Sequence, residues 1–286
     1  MTPPTNLFFE DFRPGQRFES GVREVTEDDL ARFTDVSGDA ALIHTDAEVA
    51  RQAGFKSPIA HGPLGIAVIF GLLHDTQLVE RTAIAMVDLD WRFTAPVFVG
   101  DALRYEMTIT RCRRTATRPA GVVNRHFRLI NQDNLVVQEG SSAFLVQARG
   151  DADADASHIR ADFGSAAWAA ELSPLLAAHP GFAAATRTFD GSIGFEAGRE
   201  SIQFRVYKGV VLEVASATPG GPTFTMSGSE LAWIELATAE RNDYIARAAL
   251  GDFQATGNIH EYRRMTKALV AAWDCIRELA QLAGDR

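Results

Sequence analysis

An aspartate and a histidine five positions apart, Asp39 and His44, stand in the segment Ser37-Gly38-Asp39-Ala40-Ala41-Leu42-Ile43-His44. An imidazole titrates near ~6.5, so it takes up and returns a proton at neutral pH, and a carboxylate beside it can hold a water molecule and fix the ring tautomer. On one continuous helix a five-residue offset rotates by ~500° and leaves the side chains about 140° apart, while in a strand it sends them to opposite faces. Only a turn brings the two together, and Gly38 on one side and a hydroxyl cap at Thr45 on the other predict turns there. The spacing also fits a purely structural reading, in which Asp39 caps a turn and His44 precedes a helix as a partly buried polar residue.

A second segment, Pro58-Ile59-Ala60-His61-Gly62-Pro63-Leu64-Gly65, enters an apolar stretch. Backbone N–H groups at a helix start can stabilise a developing oxyanion, and a glycine lets a substrate approach the backbone. Pro63 has no N–H, so the donor is expected to be Gly62, with Leu64 as a second candidate. The structural alternative is that Gly62-Pro63 starts a helix and His61 is a packing histidine.

The elements that must hold these residues follow from pattern. Thr26 ahead of Asp28, Asp29, Leu30 and Phe33 predicts a helix running to Ser37-Gly38, and Thr45-Asp46-Ala47-Glu48 has capping-box spacing for a second. A third helix is expected from Pro63 to about Leu73, apolar on every side and therefore in need of wrapping. Val87, Leu89, Trp91 and Phe93, then Leu103, Tyr105, Met107 and Ile109, alternate with polar residues and predict strands with one buried face. Strands at 122–130 and 136–146 flank the turn residues 131–134. Helix first and antiparallel strands after predict a sheet curled around that helix. After Gly150 come a helix near Trp168 to Leu176, strands at 188–196, 201–207 and 210–214 with Lys208-Gly209 as a tight turn, and a final amphipathic helix carrying Met265, Leu269, Ala272, Ile276 and Leu279. The class is α+β, with a domain over 1–149, a small, repelling linker over 150–163 and a second domain over 164–286.

The chain has 286 residues and 46% apolar content, enough for about two domains, and its net charge of -9 disfavours nucleic-acid partners. Cys112 and Cys275 have neither metal-knuckle nor disulfide spacing, which fits a reducing cytoplasm. No apolar run approaches the ~18 to 20 residues that span a bilayer.

The run Phe33 to Asp39 with His44, then Pro58 to Gly62, then Trp91-Arg92-Phe93-Thr94-Ala95-Pro96-Val97-Phe98-Val99-Gly100-Asp101, resembles the MaoC-like dehydratases, which include the R-specific enoyl-CoA hydratases. The resemblance implies a hotdog fold and hydration of a trans-2-enoyl-CoA to the (R)-3-hydroxyacyl product, or the reverse. It implies Asp39 and His44 as the water-activating dyad, with the thioester oxygen on the Gly62 amide, and no metal or organic cofactor. It further implies a homodimer joined sheet edge to sheet edge. Ala41-Leu42 stands where the family commonly has Asn-Pro. That departure also fits a carrier or sensor that binds acyl-CoA without turnover, and polyketide or steroid-side-chain thioesters are alternative substrates. Arg111, Arg113, Arg114 and Arg118 are candidates for coenzyme A phosphates, or an ordinary solvated strand end. Residues 165–282, with Phe189-Asp190-Gly191-Ser192-Ile193-Gly194-Phe195 and Gly251 to Asn258, resemble a sterol-carrier-protein domain. That likeness implies a fatty acid or other lipid in an apolar tunnel lined from Trp168, Phe204 or Trp273, for each of which core packing is the alternative.

Overall fold

The structure, a computed structural model, describes residues 5–150, 162 and 164–284. Most of the expected linker therefore lies outside the described residues. Contacts divide the chain into two compact units: 1–12, 16–109 and 120–149 form the first, and 13–15, 110–119 and 150–286 form the second. The division differs from a single cut at 149, because a short N-terminal piece and the far end of one long strand belong with the C-terminal half. Among the described residues no helix is long and apolar enough to cross a membrane.

In the first unit, helix α1 (Glu27–Ser37) starts where the sequence places it. The Thr26 hydroxyl accepts from the Asp29 N–H at 3.1 Å, the Asp29 carboxylate accepts from the Thr26 N–H at 2.9 Å, and Gly38 closes the helix at φ +73°. Helix α2 (Leu42–Thr45) is a single turn that contains His44. The cap of α3 (Ala47–Gln52) is Asp46 rather than Thr45. Its carboxylate accepts from the amides of Glu48 and Val49, while the Thr45 hydroxyl points back to the Ala41 carbonyl. Helix α4 (Gly62–Asp75) buries Leu64, Gly65, Val68, Ile69, Leu72 and Leu73, but Pro63, Ala67 and Gly71 are exposed. It is thus covered on one side, not wrapped all round.

The sheet against α4 is antiparallel. Strand β1 (Arg17–Glu19) begins the order β1-β4-β5-β6-β3, with β2 (Arg23–Glu24) also on β4. In β4 (Ala102–Arg114) the expected alternation holds, and Leu103, Tyr105, Met107 and Ile109 are buried. Burial of each such side chain contributes roughly 1.5–3 kcal/mol. In β3 (Ala83–Phe93) it does not hold: Val87 and Phe93 are 58% and 55% exposed, and Leu89 and Trp91 are only half-buried. The cause is position, because β3 is the end strand of the sheet, its register shifts twice against β6 (Val136–Gln147), and among the described residues no strand pairs with its other edge. Strand β5 (Ala120–Ile130) pairs with β6 across the turn that ends at Asn134, φ +58°. This is the hotdog-like arrangement of sheet and helix.

The second unit is a mixed α+β domain. Its five-stranded sheet runs β11-β10-β7-β8-β9, comprising β7 (Asp190–Ala197), β8 (Glu200–Tyr207), β9 (Val210–Ala215), β10 (Phe224–Gly228) and β11 (Phe253–Gly257). The β8–β9 turn puts Lys208 and Gly209 at φ +46° and +90°, as a two-residue hairpin of the primed type requires. Strand β10, absent from the sequence reading, lies parallel to β7. Helix α5 (Ala166–Ala178) and the last helix (Thr266–Gly284) bury Trp168, Leu172, Leu269, Trp273 and Ile276 in one continuous core with Phe204, Trp233 and Phe253. Trp168, Phe204 and Trp273, expected to line a tunnel, are side chains of that core.

Candidate active site

The left-handed Gly38 reverses the chain after α1, and the Asp39 carboxylate then accepts from the Ala41 N–H at 3.2 Å, a short side-chain turn that feeds directly into α2. This places His44 Nε2 4.0 Å from Asp39 Oδ2. The environments differ: the Asp39 side chain is 54% exposed and that of His44 only 13%.

The proton on His44 follows from its partner. Nδ1 lies 2.8 Å from the Ile59 carbonyl, an oxygen that can only accept, so Nδ1 carries a hydrogen and in the neutral ring Nε2 is the nitrogen that presents a lone pair toward Asp39. His61 behaves likewise: Nε2 donates to the Asp39 carbonyl at 2.8 Å, and its buried Nδ1 has no partner among the described residues. The two imidazoles stack with centroids 3.9 Å apart, and Phe33 covers His61 at 5.1 Å.

The segment carrying His61 is pinned on both sides. Ile59 N–H donates to the Ile43 carbonyl at 3.2 Å and Ala60 N–H to the Val97 carbonyl at 2.8 Å. The third motif is therefore a support. Asp101, buried, accepts from the Phe98 N–H at 2.8 Å and from Gln132 Nε2 at 3.1 Å, closing the turn that aims Val97.

At the start of α4 the Leu64 N–H already donates to the His61 carbonyl at 3.0 Å, so it is not the second oxyanion donor considered above. The Gly62 amide, at the first helical position, has no acceptor within the helix. A Cβ at Gly62 would come 2.8 Å from the Phe93 ring, so only glycine fits there without moving that ring. Gln138, buried on β6, was not singled out from sequence. Its Oε1 accepts from Trp91 Nε1 at 3.0 Å and its Nε2 donates to the Gly62 carbonyl at 3.1 Å. Trp91 can only donate, which fixes the orientation of the amide.

Asp39, His44 and His61 bring ligand-capable atoms within 4.8 Å of one another. The stacked rings, tilted by only 27°, hold their in-plane lone pairs in nearly parallel planes, and both imidazoles already donate to carbonyls. That geometry suits a base and its support better than a shared ion.

Of the arginines proposed for phosphate, Arg111, Arg113 and Arg114 lie on the part of β4 that belongs to the second unit, and Arg118 in the turn after it. Arg111 is buried, with its guanidinium taken by Asp162 and Glu200. Burial opposes its charge, and the two carboxylates outweigh that and hold it above its ordinary pKa. Arg111 is therefore closed to a ligand phosphate. Arg114 donates to the Gly150 carbonyl, and Arg113 and Arg118 are exposed.

The family model described as MaoC like domain matches residues 11–127. The (R)-specific enoyl-CoA hydratase of Rhodospirillum rubrum is 31% identical over 151 residues, covering 50% of this chain and 94% of that protein. Protein MaoC of Klebsiella aerogenes is 31% identical over 109 residues, 38% of this chain, and the match spans only 32% of that longer protein. A solved structure of a MaoC-like dehydratase from Rhodospirillum rubrum aligns with TM-score 0.46 at 26% identity, over 50% of this chain and 99% of that one.

Proposed function

The chain belongs, through its N-terminal half, to the MaoC-like domain family, and on that footing we propose that it is a hydro-lyase adding water to a trans-2-enoyl-CoA to give the (R)-3-hydroxyacyl-CoA, or removing it. The carrying observation is the His44 Nδ1 bond to the Ile59 carbonyl, which in the neutral ring makes Nε2, 4.0 Å from Asp39 Oδ2, the basic nitrogen. A water held between these two atoms loses a proton to Nε2 as its oxygen attacks C3. The charge that develops on the thioester oxygen is met by the Gly62 amide, and the proton is returned at C2, so the net change is the addition of water. General acid–base help of this kind contributes ~10² to 10⁴ in rate, and one oxyanion donor ~10² to 10³.

The exposed apolar edge of β3, with Ile84, Met86, Val87 and Phe93, supports a homodimer joined along that strand. For the second unit, a lipid-binding role of the sterol-carrier kind rests on the Trp273 indole N–H, buried in an apolar core and without an acceptor among the described residues.

The test follows enoyl-CoA absorbance with the full chain. Wild-type turnover is expected, with Asp39→Asn and His44→Ala each losing at least a hundredfold in kcat. Variants that keep wild-type rates would remove the dyad from the mechanism. Tight thioester binding with no conversion across chain lengths would instead favour a non-catalytic carrier.

A further inference from the structure

Arg125 faces the core from β5 and is 3% exposed, yet among the described residues no carboxylate pairs with it. Its Nε donates to Ser142 Oγ at 3.2 Å. Its guanidinium carbon lies 4.2, 4.9 and 5.8 Å from the ring centroids of Phe144, Phe127 and Phe70. Those rings cover the faces of the cation, but a guanidinium has five N–H donors in its plane, and among the described residues the acceptor it meets is Ser142 Oγ, on Nε. Close by, the Tyr105 hydroxyl is buried and has no hydrogen-bond partner among the described residues. Burial pushes Arg125 down to about 10, which leaves it charged at neutral pH. A nearly buried charge without a carboxylate and a buried hydroxyl without a partner leave the same thing missing, an anionic acceptor.

Distance ties this pair to the candidate active site. Helix α4 and strand β6 touch at one end through Gly62, Gly65 and Gln138, and at the other Phe70 and Ser142 meet at Arg125. The eight residues from Gly62 to Phe70 rise ~12 Å along the helix, and the four from Gln138 to Ser142 span ~13 Å along the strand. The two measures agree. Between the ends lie Trp91, which fills the place a side chain at Gly140 would take, and Phe127 beside it at 6.3 Å. An apolar wall with a cation at its far end is the complement of an acyl tail that ends in a negative charge.

We propose that Arg125 and Tyr105 form an anion subsite for a carboxylate on the acyl tail of the substrate, about 12 Å from the thioester, so that the preferred substrates are carboxyl-ended enoyl thioesters rather than methyl-ended ones. This rests on the acyl-thioester reading above and adds a substrate class to it. Charge-assisted pairing of a guanidinium with a carboxylate in a desolvated place favours the matched ligand by tenfold or more.

The test compares matched-length trans-2-enoyl-CoA substrates, one series ending in methyl and one in carboxylate, with the full chain. A kcat/KM ratio at least tenfold in favour of the carboxyl-ended series at one chain length, falling toward one in Arg125→Met and partly kept in Arg125→Lys, is the expected result. Equal or lower kcat/KM for the carboxyl-ended series at every length, or a ratio unmoved by Arg125→Met, overturns the subsite and leaves the cation as an aromatic-caged packing element. Should neither series be hydrated, the hydratase reading fails by itself. Calorimetric binding of saturated carboxyl-ended against methyl-ended acyl-CoA then decides the subsite alone, and equal affinities overturn it. The same calorimetry serves if Arg125→Met does not fold.

Discussion

Replacing Gln138 by leucine tests the mechanical link between the sheet and the candidate oxyanion donor. The side chain is buried and holds two groups at once, Trp91 Nε1 at 3.0 Å and the Gly62 carbonyl at 3.1 Å. Leucine fills most of the volume but strands both partners, and an unsatisfied buried group costs ~1–3 kcal/mol. Trp91 and Gly62 are each half-buried and recover part of that from water, so the expected loss is about 2–4 kcal/mol. With a urea slope of ~1–3 kcal/mol/M, the unfolding midpoint followed by circular dichroism falls by roughly 1 M or more. Release of the Gly62 carbonyl also lets the adjoining amide drift, and a misplacement of ~1 Å costs about a hundredfold in kcat/KM. Gly65 provides an internal control, because a Cβ there would lie 2.3 Å from Gln138 Nε2. Gly65→Ala alone is expected to cost ~1–3 kcal/mol, and most of that penalty disappears in a Gln138→Ala background, where the methyl has room. A Gln138→Leu protein that unfolds at the wild-type urea concentration, or additive effects in the Gly65 pair, would refute the strut.

Ala41 caps α2 without a side-chain acceptor, so Ala41→Asn is expected to stabilise the first unit by about 0.5–1 kcal/mol, read as a higher urea midpoint. Burial opposes the charge on Asp29, but the Thr26 N–H and hydroxyl and the Arg23 guanidinium outweigh it and hold its carboxyl below the ordinary value of 3.8. Its contribution is therefore complete above about pH 4 and lost as the pH falls through the lowered value; the gap in urea midpoint between wild type and Asp29→Asn should be widest at pH 7 and shrink by pH 2. Arg111→Met leaves Asp162 and Glu200 partly buried without their cation and should cost ~3–5 kcal/mol in chemical unfolding. Arg125→Met, with no carboxylate to strand, should cost less than about 1 kcal/mol, and equal losses in the two variants would contradict the pairing described.

Local signals were legible where one residue type decides the backbone. Thr26 and Asp29 mark the start of α1, Gly38 its end, and the alternation of β4 gives both strand and buried face. What sequence did not carry was position within the sheet. Val87 to Phe93 alternates as cleanly as Leu103 to Ile109, yet one lies at an edge and the other in the middle, and only pairing partners tell them apart. The same holds at the candidate site. Asp39 and His44 could be named because their types are reactive and a turn was forced between them. The Ile59 carbonyl that sets the tautomer is a backbone atom and leaves no mark in the alphabet. Gln138 and Arg125 did leave one, as long polar side chains on core-facing positions of their strands, and that signal becomes readable once the register is known. Arg111 shows the reverse. A cluster of arginines suggested phosphate, but two carboxylates far along the chain had already claimed its most buried member.

That claim bears on how the protein can be dissected. Because residues 110–119 fold with the C-terminal half, a fragment ending at residue 149 would expose Arg111 without Asp162 and Glu200 and leave Thr110 without the Glu230 carboxylate that accepts from its hydroxyl. The complementary fragment would lack the tip of β4 that its acids hold. Silence from the 1–149 fragment would then report the loss of those partners and say nothing of Asp39 and His44.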